Sequence, residues 1–93
     1  MDDYIKRIFD RMAKLNVKEV DEEYIGTRKD LQEYFMLMIH LETGNGDYDA
    51  EEFIYNVGML MDLLEALASK DDDELLEVKY NPMGAYYLTP YGE

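Results

Sequence analysis

Ninety-three residues supply one hydrophobic core, since a second would be too small to stand alone, so a single acidic helical domain spanning residues 1–93 is expected. With 47% hydrophobic residues the chain can fold despite its charge, and with no cysteine it excludes disulfides, thiolate catalysis and Cys-ligated zinc. Nine basic residues against 22 acidic ones leave a net charge of −13, which repels nucleic acid and anionic membranes and attracts basic partners or cations.

The chain opens Met1-Asp2-Asp3-Tyr4, acidic and without an apolar signal segment. Its longest apolar run, Tyr34 to Ile39, is far too short to span a membrane, and a cytoplasmic protein is expected. A first helix is predicted from about Asp3 to Leu15. Ile5, Ile8, Phe9, Met12 and Leu15 form its apolar stripe, Asp2 or Asp3 its cap and Asn16 its stop. Residues 16–26 read as a loop, with a short helical turn over 21–25 stopped by Gly26. Thr27 and Asp30 then resemble a capping box with Asp in place of Glu, opening a second helix from Arg28 to about Glu42. Leu31, Tyr34, Phe35, Met36, Leu37, Met38, Ile39 and Leu41 make that helix apolar almost all round, as expected of a helix covered on more than one side.

Gly44-Asn45-Gly46 breaks the pattern, and Asp49 with Glu52 three residues later restarts a helix that runs to about Ser69. Its predicted core stripe is Phe53, Val57, Leu60, Met61, Leu64, Leu67 and Ala68. After the acidic run Asp71-Asp72-Asp73-Glu74 the period changes from 3.6 to 2. Leu76, Val78 and Tyr80 alternate with polar residues on one strand, and Tyr86 and Leu88 on the next. Asn81-Pro82-Met83-Gly84 fits a type I turn with glycine able to take positive φ at the fourth position, so a β-hairpin is expected at 75–91. The fold class is therefore α+β, mainly α: a three-helix core followed by a C-terminal hairpin.

Two local resemblances bear on function. Residues 45–53 resemble the back half of an EF-hand loop with Glu52 at the twelfth position. Leu41 and Thr43 then fall where the first ligands belong, leaving too few oxygens for calcium, so a plain helix cap is expected. Residues 76–92, two strands followed by Leu88-Thr89-Pro90-Tyr91-Gly92, resemble the wing of winged helix-turn-helix regulators. The resemblance implies a winged-helix-like arrangement as the alternative fold. DNA binding is not expected with it, because the helix that would read DNA carries Glu51, Glu52, Asp62 and Glu65 where Lys and Arg are needed.

No nucleophile elbow, phosphate loop or dinucleotide fingerprint is present, and His40, the sole histidine, reads as a half-buried structural residue. No enzyme activity, metal or cofactor is expected. What remains is where the charge lies. Residues 1–29 hold seven basic residues and seven acids, while residues 30–93 hold fifteen acids against Lys70 and Lys79, so the whole imbalance sits in the last two-thirds. The candidate partner-binding face comprises Asp30, Glu33, Glu51, Glu52, Asp62, Glu65, Asp71, Asp72, Asp73 and Glu74, with Tyr55, Tyr86 and Tyr87 as aromatic anchors. The run 71–74 follows a helix C-terminus, where negative charge opposes the macrodipole. It reads either as a solvated gatekeeper ahead of an aromatic hairpin or as a binding feature.

The expected partner is a protein with a basic, nucleic-acid-binding surface, occupied by an inhibitor or decoy whose carboxylates stand in for phosphates. In charge, size and lack of catalytic groups the chain is similar to small acidic phage proteins that block restriction or CRISPR nucleases. The alternative is a structural or regulatory protein-interaction module, including a homodimer, without mimicry. Acidity that serves only solubility is the plain competing explanation.

Overall fold

The computed structural model describes residues 3–44, 49–81 and 84–92. Three helices and four strands follow in the order α1 (Asp3–Lys14), β1 (Lys18–Val20), β2 (Glu23–Thr27), α2 (Arg28–Gly44), α3 (Ala50–Ala68), β3 (Leu75–Asn81) and β4 (Ala85–Pro90). The class is α+β and mainly helical, with the C-terminal antiparallel strand pair in the expected place. The strands form one antiparallel sheet in chain order.

Helices and sheet share one core. Phe35 and Leu31 of α2, Leu60, Leu63 and Leu67 of α3, and Tyr24, Leu76 and Val78 of the sheet are buried together. Five of these side chains are essentially inaccessible, each favouring the folded state by about 1.5–3 kcal/mol. Tyr24, Phe35 and Tyr86 meet edge to face, with ring centroids 5.0 and 5.6 Å from Phe35. The alternation read in the C-terminal strands matches the register: Val78 lies opposite Leu88 and Tyr80 opposite Tyr86 on the core side. As expected, α2 is covered on more than one side, by α1, α3 and β2.

The segment 16–26 departs from expectation. In place of a loop with a helical turn it forms the β1–β2 hairpin, in which Val20 pairs with Glu23 across the two residues Asp21 and Glu22. Both have positive φ, +52° and +64°. Such a turn normally carries Asn-Gly or Asp-Gly, and an Asp-Glu pair hides it from the sequence. β2 then pairs with β3 along five residues, from Glu23 opposite Lys79 to Thr27 opposite Leu75, so the C-terminal hairpin is not an isolated pair. Gly26 permits this geometry: a Cβ there would come within 2.9 Å of the Asn16 carbonyl oxygen, where the chain leaving α1 crosses the sheet. The winged-helix-like alternative requires a strand ahead of the helix pair joined to the hairpin. β2 supplies one, although α2 and α3, at 17 and 19 residues, are long for a compact helix-turn-helix.

Core assignments on two helices are corrected. Phe9 is 51% exposed, leaving Ile8 as the buried contact of α1. On α3, Met61 and Ala68 face outward and Leu63 is buried instead. The helix turns Leu60, Leu63 and Leu67 to the core, about a hundred degrees from the phase that Met61 would require. In the C-terminal turn, Gly84 has φ +95° and its N–H donates to the Asn81 carbonyl at 2.8 Å; Pro82 and Met83, at the centre of the expected type I turn, lie outside the described residues.

Candidate functional site

The helix that presents four of the ten candidate acids is capped by Asp49, whose carboxylate accepts from the backbone N–H groups of Glu51 and Glu52 at 2.9 and 3.1 Å. This is the cap expected of the segment that resembles an EF-hand loop; Asn45 and Gly46 lie outside the described residues. Burial of Leu60, Leu63 and Leu67 fixes the rotation of α3. Glu51, Tyr55, Asp62 and Glu65 then share the opposite, exposed side; Glu52, exposed in the first turn, has the rotation of Leu63 and lies off this stripe. Fourteen residues at 1.5 Å rise set Glu51 and Glu65 roughly 20 Å apart. No ion pair among the described residues engages Glu51, Asp62 or Glu65.

The Asp71–Glu74 run has a different role from the one its position in the sequence suggests. It follows the C-terminus of α3, but it folds against the N-terminus of α2. The carbonyl of Glu74 accepts from Arg28 N–H at 2.8 Å and that of Asp72 from Lys29 N–H at 3.1 Å, satisfying two of the helix's free donors. Thr27 Oγ1 accepts from Asp30 N–H at 3.3 Å, half of the expected capping box. The Asp72 carboxylate pairs with the largely buried Arg28 guanidinium, which also donates to Gln32 Oε1. Negative charge here favours the positive end of the α2 dipole. Helix stability therefore accounts for the Asp72 carboxylate, through α2 and not α3.

Asp30 and Glu33 do not join the α3 stripe. Asp30 Oδ2 accepts from Asn16 N–H at 3.3 Å, and Glu33 forms a two-pronged pair with Arg11 of α1, one arm at 2.9 Å. Hydrogen bonding from Arg11 holds the Glu33 carboxyl below the usual carboxylate range, and the same bond raises Arg11. These acids tie α1 and the following segment to α2.

The three aromatic candidates divide in the same way. Tyr55 and Tyr87 are each 53% exposed, Tyr55 lying over Gly84 and Tyr87 Oη accepting from Asn81 Nδ2 at 3.0 Å. Tyr86 packs on Phe35 and Tyr80 at the core edge, and burial pushes its phenol up to about 12. Burial does the same for Tyr24 and Tyr34, and Tyr34 donates to Glu19 at 3.3 Å. His40 is exposed, not half-buried, with Nδ1 3.4 Å from the Tyr4 hydroxyl.

Sequence reasoning missed the apolar neighbours of the acids. Ile54 and Met61, 69% and 59% exposed, flank the stripe on α3. Between α3 and β4 runs a groove of about 400 Å³, with Met59, Asp62 and Ala66 on one wall and Ala85, Tyr87 and Leu88 on the other. The signal was visible only as surplus: α3 carries more apolar residues than one buried face can use. Among the described residues, no three carboxylate or histidine side chains gather as a metal-binding group, and no helix is long and apolar enough to cross a membrane. No family model matches the chain, and no curated protein or solved structure is significantly similar to it.

Proposed function

We propose that this protein is a non-enzymatic, cytoplasmic binding protein that lays the acidic stripe of α3 on a basic surface of a partner protein, one that otherwise holds nucleic acid. The carboxylates take the place of phosphates, as in the small acidic phage proteins that act as decoys against restriction or CRISPR nucleases. The observation that carries this reading is the stripe itself: Glu51, Asp62 and Glu65, exposed, roughly 20 Å long, unengaged by ion pairs among the described residues, with Tyr55 among them. Acids engaged in holding the fold, such as Glu33 and Asp72, are poorer candidates for contact.

Reversing Asp62 and Glu65 to Lys should abolish partner capture, whereas reversing Asp3 and Asp10 on α1, in the charge-balanced first third of the chain, should leave it largely intact. All four positions are exposed, so stability should move by only about 0.5 kcal/mol. Captured partners should also release steeply with salt and lose their hold on nucleic acid in competition. Equal tolerance at both pairs of sites would reduce the acidity to a solubility device.

Exposed Ile54 and Met61 support a second reading, a regulatory interaction module or homodimer formed through α3 without mimicry. Association that resists salt but fails in Met61→Asp would favour it.

A further inference from the structure

A second cavity, of about 240 Å³, opens where the β1–β2 turn, α2, α3 and the C-terminal hairpin meet. Leu60 and Tyr24, both buried, form its apolar floor, Met38 and Met59 line its sides, and the rings of Tyr80 and Tyr86 stand as a wall with centroids 5.2 Å apart and planes at 58°. Among the described residues, Glu22 and Glu42 supply the only charged groups of the lining, and none of its side chains is basic. Both carboxylates bear on the same place, since each helps to raise the Tyr86 phenol. Neither is engaged by an ion pair among the described residues. An apolar, ring-walled cavity with two carboxylates at its edge suits a group that is cationic, flat and weakly hydrated.

We infer that this cavity receives the guanidinium of an arginine side chain presented by a partner protein. A guanidinium stacks on tyrosine faces and offers a planar fork of donors to a carboxylate, while its methylene stem lies on the methionines. An ammonium, compact and strongly hydrated, gains less from the same walls. The cavity shares Met59 and Tyr86 with the α3–β4 groove, so an arginine entering it would come from a partner lying beside the acidic stripe. The inference stands on the cavity alone and holds whether or not that partner also binds nucleic acid.

The test is an NMR titration of the full chain with acetyl-Gly-Arg-Gly-amide, followed at the Met38 and Met59 methyls and the Tyr80 and Tyr86 rings. Saturable shifts confined to these groups are expected in the millimolar range. The isosteric citrulline peptide, neutral but equally flat, should bind at least roughly tenfold more weakly, as should the arginine peptide to Glu42→Gln. Tyr80→Leu, which keeps both carboxylates, should also weaken binding, by roughly two- to tenfold. Nα-acetyl-arginine, which carries a free α-carboxylate and no α-ammonium, should bind less well than the peptide because the two glutamates repel that carboxylate. Equal or tighter binding of Nα-acetyl-arginine would overturn the partner-protein origin, and equal binding of a lysine peptide would overturn the guanidinium assignment. Absence of saturation up to about 20 mM, or shifts centred on Asp62 and Glu65, would overturn the site itself. The α3 reversal Asp62→Lys/Glu65→Lys should leave the peptide titration essentially unchanged, so failure of the docking proposal and failure of this one are read separately.

Discussion

The β1–β2 turn holds two non-glycine residues in the left-handed region, Asp21 at φ +52° and Glu22 at φ +64°. For an L-residue that region costs about 1–2 kcal/mol, whereas glycine enters it freely and asparagine is enriched there. Replacing Asp21-Glu22 by Asn-Gly should relieve most of the cost at position 22 and a few tenths of a kcal/mol at position 21. Against this stands about 0.5–1 kcal/mol for the greater freedom of glycine in the unfolded chain. The net expectation is a stabilisation of about 1 kcal/mol, which for a domain of this size raises Tm by about 4–8 °C. The hydrogen bond from Tyr80 N–H to the Glu22 carbonyl, 3.2 Å, uses backbone only and survives the change. Removing two negative charges beside Glu19 and Glu23 acts in the same direction, so the reference is Asn-Gln, which removes the charge and keeps the side chain. Thermal and urea denaturation at matched ionic strength would measure the difference between Asn-Gly and Asn-Gln. If Asn-Gly is no more stable than Asn-Gln, the turn stores no backbone strain and the reasoning fails.

Gly84→Ala should destabilise the domain by about 1 kcal/mol or more: φ of +95° disfavours alanine, and the new Cβ would overlap the Tyr55 hydroxyl and lie 2.9 Å from its Cζ. An unchanged Tm would remove the structural role assigned to that turn. Tyr24, Tyr34 and Tyr86 are held up to about 12 by burial, so their contribution to stability is complete below pH 10 and is lost as pH rises through 12. Circular dichroism against pH, beside phenolate absorbance, should show unfolding begin as these groups ionise; all tyrosines titrating together near pH 10 with the fold intact would contradict it. Asp72→Lys should cost about 1–2 kcal/mol in urea melts, by unpairing Arg28 and placing a cation at the α2 N-terminus. A neutral result would return the acidic run to the solvent.

The long elements were legible because their periods are strong. Ile5, Ile8 and Met12 repeat at helical spacing, Leu76, Val78 and Tyr80 alternate, and Asp49 and Gly84 mark a helix start and a turn. β1 escaped notice because Lys18-Glu19-Val20 is exposed throughout and its turn lacks glycine. The phase of α3 escaped for the opposite reason. Leu60, Met61, Leu63 and Leu64 are apolar within a turn and a half, so the pattern permits several rotations, and the choice falls to the sheet and α2 packed against it. The candidate acids were legible as composition but not as geometry. Nothing local to Asp71–Glu74 reports that the run meets the start of a helix more than forty residues earlier, and nothing in Glu22, Glu42 and Tyr80 reports that they share a cavity.

That geometry divides the acids by role. Asp30, Glu33, Asp49 and Asp72 hold the fold through hydrogen bonds or ion pairs, so their reversal would confuse lost binding with lost structure. Glu51, Asp62 and Glu65 have no such partner among the described residues, and like charges gathered on one helix face oppose folding by mutual repulsion. Solubility follows first from the size of the net charge, whereas a docking surface depends on where the charge lies. The two explanations therefore separate when position changes and net charge does not. Combining Asp62→Lys and Glu65→Lys with Lys6→Glu and Arg7→Glu on the exposed side of α1 leaves the chain at −13 and moves four charges from one helix to another. A solubility device would survive that exchange, and a phosphate-like surface on α3 would not.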